Sequence, residues 1–522
     1  MSSETEAEAA PQEIWPARKP RRGDILEVFL TGLGEKGRAI GYGLAGSPEG
    51  KPHTYSARTR DGVPGDHVLL NVHKRRKETV EGHVEEMLEE SPDRVEARCL
   101  HVASCGGCAF QQLAYGRQLV ELRAQLVRTL EPLNPFLGER KPALGPVIGC
   151  DEPFAYRNKM DFTFGNKRWR ETGEAEGSAD DFALGLHARG HFEKVLDVGR
   201  CEIAFPEASA ILDTVRREAQ ERELSAWDVR AHEGLLRHLV LRKSWASGEV
   251  LADLVTTERR PEAVEPFVAA IRAAHPEIAS FVQTVNAGVA LVAVGDEEVL
   301  AGSGTIEEQL CGLWFRISAR SFFQTNTPQA ERLAALVSAR AEVGPNDTLF
   351  DVYCGGGALA LIAGQRARVV WGFELVPEAV ADADFNAERN GITNARFIAG
   401  DVAATLAPDS LDELGAPRPD VCLVDPPRAG VHKDVLRALV TLAPRRIVYV
   451  SCNPKSATRD LPVLLQGGYR LLAIDPLDLF PHTPHMECIF TLVADAKAQA
   501  PLDAGPELSA TDVDVHEPGD MP

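Results

Sequence analysis

Residues 349–358 read Leu349-Phe350-Asp351-Val352-Tyr353-Cys354-Gly355-Gly356-Gly357-Ala358. A short apolar run breaking into consecutive glycines predicts a buried strand whose end lets backbone approach a ligand closely, which larger side chains would block. The next apolar run, VVWGFEL, closes on Gly372-Phe373-Glu374. An acid about twenty residues past such a loop is placed to accept hydrogen bonds from ribose hydroxyls. A third run, ARFIAG, ends in Gly400-Asp401, and VCLVDP and RIVYVSC follow with helical stretches between. That alternation predicts an α/β domain, a doubly wound Rossmann-like sheet with helices on both faces. The glycines do not follow G-x-G-x-x-G, and no phosphate-binding Lys-Ser/Thr comes after them. The loop therefore favours a nucleoside without pyrophosphate, as in S-adenosylmethionine enzymes, over NAD; read alone, it is a glycine turn of any α/β protein.

Toward the C-terminus two more strand ends carry reactive groups. One bears Asp425-Pro426-Pro427-Arg428, the other Ser451-Cys452-Asn453-Pro454. Strand carboxyl ends line the crevice of such sheets, so Asp425 and Cys452 are expected in a common pocket. A free cysteine is commonly a buried structural thiol, but a polar turn outside the apolar strand fits a nucleophile better. Glu487 precedes the apolar run CIFTLV. It is expected at a sheet edge within reach of the pocket as a general base, although such an acid read alone is an exposed carboxylate.

Toward the N-terminus, residues 23–86 form short alternating runs separated by glycines, the pattern of a small closed β-barrel that hides its edges. Cys99, Cys105 and Cys108 follow as C-x5-C-G-G-C, three of ten cysteines. In a cytosolic chain such a cluster signals metal or redox chemistry more than disulfides. An amphipathic helix is expected at about 111–130, then an α+β stretch with helices near 206–222 and 262–274 and a loop insertion at 169–181. The 522 residues divide, on this reading, into an acidic tail at 1–20, the barrel at 21–88, the central α+β domain at 95–305, the sheet domain at 306–493 and a second acidic tail at 494–522. The net charge of -21 speaks against a nucleic-acid partner only superficially, because part of the acid sits in the tails and the basic runs Arg18-Lys19-Pro20-Arg21-Arg22 and Lys74-Arg75-Arg76-Lys77 are local. No apolar run reaches the roughly 20 residues of a membrane span, and the acidic start has no apolar signal core. The expectation is a cytoplasmic protein without membrane contact or an obligate protein partner, a monomer with no long coiled-coil pattern.

Together IVYVSCNPKSATRDL, DPPRAG, FDVYCGGGALAL, SFFQTN and LFPHTPHMEC closely resemble the RNA uracil-C5 methyltransferases, which make 5-methyluridine in tRNA and 23S rRNA; the resemblance covers nearly the whole chain apart from the tails. It implies that Cys452 is the nucleophile and Glu487 the base that removes the C5 proton. It also implies that Gln324, Tyr353, Gly355, Glu374, Asp401 and Asp425 contact S-adenosylmethionine or shape its pocket. By the same resemblance Cys99, Cys105, Cys108 and Cys201 hold a 4Fe–4S cluster, zinc being the rival. The barrel becomes an OB-like TRAM domain that binds RNA, and Tyr156-Arg157-Asn158-Lys159-Met160 adds RNA contacts. Ala358 stands where many members carry a polar residue, which implies modestly altered cofactor affinity. The cysteines and the barrel lean toward rRNA over tRNA. Three other readings are weighed. An N6-adenine methyltransferase would need an aromatic residue where Arg428 stands and would leave Cys452 without a role. An RNA 5-methylcytosine enzyme would need a second cysteine where Asp425-Pro426-Pro427-Arg428 has none. An inactive iron–sulfur RNA chaperone would have no use for Cys452, Asp425 and Glu487.

Overall fold

A computed structural model describes residues 19–46, 52–138, 141–170, 181–290 and 292–495. The expected tails at 1–20 and 494–522 and the expected insertion at 169–181 lie largely outside the described residues. The chain divides into two compact units, one of residues 1–103, 108–125 and 482–484 and one of 104–107, 126–481 and 485–522. The first thus reaches past the barrel and takes in Cys99 and Cys108.

In the first unit the strands Ile25–Leu33, Ala39–Gly46, Pro52–Thr59, Thr79–Glu89 and His67–Arg76 close a barrel in that order. Alternation sends Leu26, Val28, Leu30, Val68, Leu70 and Val72 inward, which is what a period of two requires of a half-buried strand. Phe110 and Leu113 join the same core. They hold residues 110–113 out of helical geometry, so the helix expected from 111 begins only at Tyr115 (Tyr115–Leu130).

The second unit contains a seven-stranded sheet and an eight-stranded sheet. The seven-stranded sheet is built from Lys159–Gly165, Ala183–Ala188, His191–Asp197, Leu236–Lys243, Val250–Thr256, Ile278–Val285 and Asp296–Ala301. Helices Glu207–Glu221 and Pro261–Ala274, close to their expected spans, bury Ile211, Leu212, Val215, Phe267 and Ile271 with its Phe162, Leu239 and Leu254. The eight-stranded sheet runs in the order Ala395–Ala399, Val369–Glu374, Thr348–Val352, Val421–Val424, Arg446–Ser451, Glu487–Ala494, Tyr469–Leu477, Ala143–Leu144. Its first five strands are parallel, as expected of an α/β unit. Glu487–Ala494 then runs antiparallel between two neighbours. The expectation of Glu487 at a sheet edge is therefore corrected: Tyr469–Leu477 makes a hairpin that covers what would have been the edge.

Candidate active site

The glycine loop follows from the strand before it. Thr348–Val352 is fully buried and ends at Tyr353, whose φ of 69° is left-handed. Gly357, at φ 79°, has no room for a side chain: a Cβ there would lie 3.0 Å from both the Ala383 Cβ and the Phe397 ring. The loop can thus lie flat on helix Pro377–Arg389, where Asn386 Nδ2 donates to the Gly356 carbonyl at 2.9 Å. The next strand brings Glu374, which accepts from the N–H of Gly355 at 3.1 Å and of Val376 at 2.9 Å. Asp401 caps the short helix Val402–Thr405 by accepting from the Ala404 N–H.

Tyr353, Gly355, Gly356, Glu374 and Asp401 line one cavity of about 780 Å³ together with Gln324, Asp425, Arg428, Cys452 and Glu487. Every sequence-selected residue of the catalytic and cofactor set is in its wall. The pair at its reactive end is fixed by register. Ser451 is paired with Cys488 across antiparallel strands, so Cys452 and Glu487 continue that ladder by one step and leave it on the cavity side. Cys452 is half-buried, whereas Glu487 is only 3% exposed, with its Oε2 lacking a hydrogen-bond partner among the described residues.

Burial pushes the Cys452 thiol up to about 12, Glu487 and Asp425 add to the rise, and Arg428 opposes it. Burial likewise lifts Glu487 well above the carboxylate range, with Asp425 adding and Arg428 opposing. Asp425 is raised to about 6 by burial. Burial thus favours the protonated forms of both the thiol and Glu487, and Arg428 is the neighbouring cation that favours their ionised forms.

Several wall residues escaped sequence reasoning. Asp351, 1% exposed, is raised well above the usual carboxylate range by burial and then by Asp425; its place four residues before Gly355 was the available signal. Leu375 and Val376, 61% and 47% exposed, flank Glu374 in the wall and leave apolar surface for an aromatic ring to cover. Arg316 pairs with Asp382 at 2.6 Å and stacks over Phe385; no local pattern marks it. A cavity with a glycine floor, an acid at ribose distance, apolar surface beside it and carboxylates for a cationic sulfonium and ammonium fits S-adenosylmethionine.

The four selected cysteines are placed as follows. Cys99 and Cys108 belong to the first unit, Cys105 and Cys201 to the second. Gln111 Nε2 donates to Cys108 Sγ at 3.2 Å and the Gly107 N–H to Cys105 Sγ at 3.3 Å. Burial raises the Cys201 thiol, against the N–H groups of Ile203 and Ala204. Among the described residues no group of three or more His, Cys, Asp or Glu side chains gathers as a metal ion requires. No helix of the described residues is long and apolar enough to cross a membrane.

Comparison with known proteins bears on the same segments. The tRNA (Uracil-5-)-methyltransferase family matches residues 296–494. An RNA methyltransferase of Chlorobaculum tepidum is 37% identical over 476 residues, covering 90% of this chain and 96% of its own. One of Caldanaerobacter subterraneus is 38% identical over 476 residues, covering 90% and 98%. The crystal structure of the Pyrococcus abyssi tRNA (uracil-54, C5)-methyltransferase in complex with S-adenosyl-L-homocysteine superposes with a TM-score of 0.68 at 26% identity, over 90% of this chain and all of that one. With a cavity that fits the methyl donor in its α/β unit and relatives matched over nearly its whole length, the chain belongs to the S-adenosylmethionine-dependent RNA uracil-5-methyltransferases.

Proposed function

We propose that this enzyme methylates C5 of a uridine through a covalent bond between Cys452 and C6. The observation that carries the reading is the strand register that sets Cys452 beside Glu487 in the wall of the cofactor cavity. Uridine C5 is too weak a nucleophile to take a methyl group unaided. Cys452, its proton lost to solvent, adds to C6 and leaves an enolate whose C5 is nucleophilic. Bound S-adenosylmethionine would supply an electrophilic methyl and leave as the neutral thioether. Glu487 in its ionised form takes the C5 proton, the electrons of that bond restore the C5–C6 double bond, and the Cys452 sulfur departs as thiolate. Arg428 favours the ionised forms of both groups during the cycle. Gln324, Tyr353, Gly355, Glu374, Asp401 and Asp425 hold the cofactor, and Ala358 offers it no side-chain polar group.

The substrate is a structured RNA whose target base is turned out of its stack into the cavity. Our reading is 23S rRNA, from the cysteine spacing and the barrel. Transfer RNA is the second reading, favoured by the likeness to the Pyrococcus abyssi enzyme. The barrel at 21–88 serves as an OB-like TRAM domain: Phe29 and Tyr42, 55% and 58% exposed, offer stacking faces, and Lys74-Arg75-Arg76-Lys77 offers phosphate contacts. The spans 95–305 and 306–493 act as RNA-binding and methyl-transfer domains. Cys99, Cys105, Cys108 and Cys201 are the proposed ligands of a 4Fe–4S cluster. Support comes from their spacing and from the N–H donors to sulfur at Cys105 and Cys108. A cubane sets its four thiolates on four separate irons, so it does not require the tight gathering that one ion does.

Mass spectrometry of rRNA and tRNA from a deletion strain tests the reading. Loss of one 5-methyluridine, restored by the native gene but not by Cys452→Ala, is expected and names the RNA. An unchanged modification profile refutes it. Brown colour and visible absorption of anaerobically purified protein separate iron–sulfur from zinc.

A further inference from the structure

The loop Asp425–His432 carries two groups of the cavity wall, Asp425 and Arg428, yet it is short on regular structure of its own. What holds it is the helix Pro454–Gln466, which begins two residues after Cys452. Three side chains from that helix and its cap reach the loop backbone. Asn453 Nδ2 donates to the Arg428 carbonyl at 3.0 Å. Arg459 Nη2 donates to the Ala429 carbonyl at 2.5 Å. Asp460 Oδ2 accepts from the Val431 N–H at 2.8 Å and from the Tyr449 hydroxyl at 2.8 Å.

Asp460 is 5% exposed and Tyr449 fully buried. A buried carboxylate must be satisfied by donors, and here a loop N–H and a phenol supply them. The contact also requires the glycine between. Gly430 has φ 91°, and a Cβ on it would lie 2.5 Å from Asp460 Oδ2 and 3.0 Å from the Ser456 Cβ. The loop is therefore seated directly on the helix, with Asp460 as the buried bond between them.

Arg428 Nη2 lies 3.4 Å from Nδ1 of His485, two residues before Glu487. Glu487, Asp425 and Arg428, the charged groups that act on the Cys452 thiol, line the same cavity as Cys452. A shift of the loop would move the cation away from the thiol while leaving Glu487 on its own strand. We propose that Asp460 is a positioning residue for methyl transfer, clasping the Asp425–His432 loop to the helix beside Cys452 so that Arg428 stays opposite the thiol. The proposal rests on the assignment of Cys452 as nucleophile.

The test is the alkylation rate of Cys452 by iodoacetamide at fixed alkaline pH, read by peptide mass spectrometry on the full-length protein. Native enzyme is compared with Asp460→Ala, Tyr449→Phe, Arg428→Gln and the double variant Asp460→Ala/Arg428→Gln. The clasp predicts that Asp460→Ala and Arg428→Gln each slow alkylation about tenfold, the effect of one unit in thiol acidity. The double variant is then no slower than Arg428→Gln, because both changes remove the same cation. Tyr449→Phe, which spares the Val431 bond, falls between native and Asp460→Ala. In turnover, Asp460→Ala lowers kcat about 10- to 100-fold, the scale of an ångström's misplacement, with the KM for S-adenosylmethionine within about twofold. Additive slowing in the double variant overturns the proposal. So does an Asp460→Ala or Tyr449→Phe protein that melts earlier with native alkylation and kcat. Alkylation needs no RNA, so its outcome is separate from that of the function itself, which fails if Cys452→Ala still methylates.

Discussion

Replacing Glu487 by Gln isolates the last chemical step. The side chain is 3% exposed, and burial raises it well above the carboxylate range. The neutral amide is a near match in shape and charge for the protonated form that burial favours, and the variant should fold with a stability change within about 1 kcal/mol. Its effect on the thiol is favourable if anything, because Glu487 is among the groups that hold Cys452 up. Addition to C6 and methyl transfer should therefore proceed. Removal of the C5 proton should not, since an amide cannot take it. Loss of a positioned base costs about 10²- to 10⁴-fold in rate, which converts to roughly 3 to 5 kcal/mol. The protein–RNA adduct should then accumulate after methyl transfer. Denaturing gel electrophoresis should show a retarded band that depends on S-adenosylmethionine. Nuclease digestion should leave a methylated uridine on the peptide carrying Cys452. Turnover within tenfold of native, or absence of an adduct that carries methyl, would refute the assignment of Glu487 and the order of steps built on it.

Three further outcomes follow from other parts of the molecule. Gly357→Ala puts a Cβ 3.0 Å from Phe397 and Ala383 at a left-handed φ of 79°; about 1–2 kcal/mol of backbone strain should appear as a lower melting temperature and a raised KM for S-adenosylmethionine, and an unchanged KM would show that the loop does not bear on the cofactor. Phe29→Ala/Tyr42→Ala removes two exposed rings from the barrel; at about 1–3 kcal/mol per stacked base it should weaken RNA binding in fluorescence anisotropy at least fivefold with an unchanged melting temperature, and native affinity would exclude stacking there. Asp253, 1% exposed, is raised to about 7, first by burial. A carboxyl raised on folding contributes stability that is full below its unfolded value near 3.9 and lost as pH climbs through 7. Asp253→Asn should therefore gain on the native protein in melting temperature between pH 5 and 8, by up to roughly 4 kcal/mol, and parallel melting curves across that range would contradict the burial argument.

What the sequence carried and what it withheld divide along one physical line. Contacts set by neighbours in the chain were legible. The run 349–358 gave the strand, the left-handed turn and the glycine floor, because each depends on local backbone freedom and apolar burial. Cys452 and Asp425 were legible for the same reason, as polar residues at the ends of parallel strands, which in a doubly wound sheet share one rim. Glu487 was marked as a candidate base by its place before an apolar run and then by resemblance, but its environment was misjudged: its strand lies between Arg446–Ser451 and Tyr469–Leu477. The pairings that bury it join residues from ten (Leu477 with Glu487) to 47 (Arg446 with Val493) positions apart, and no periodicity in either strand specifies the partner. Arg316, brought to the cavity by a hairpin and held by Asp382 on a distant helix, left no trace in its own neighbourhood. Asp460 sits eight residues after Cys452 with the spacing of an ordinary amphipathic helix, and only the fold reveals that the loop bonded to it arrives from thirty residues earlier. The chemistry at a strand end could be read from sequence because the strand itself aims it. The acidity of that chemistry could not, since the proton affinities of Cys452 and Glu487 depend first on burial and then on how Asp425 and Arg428 are held, and both are decided by packing between residues the chain keeps far apart.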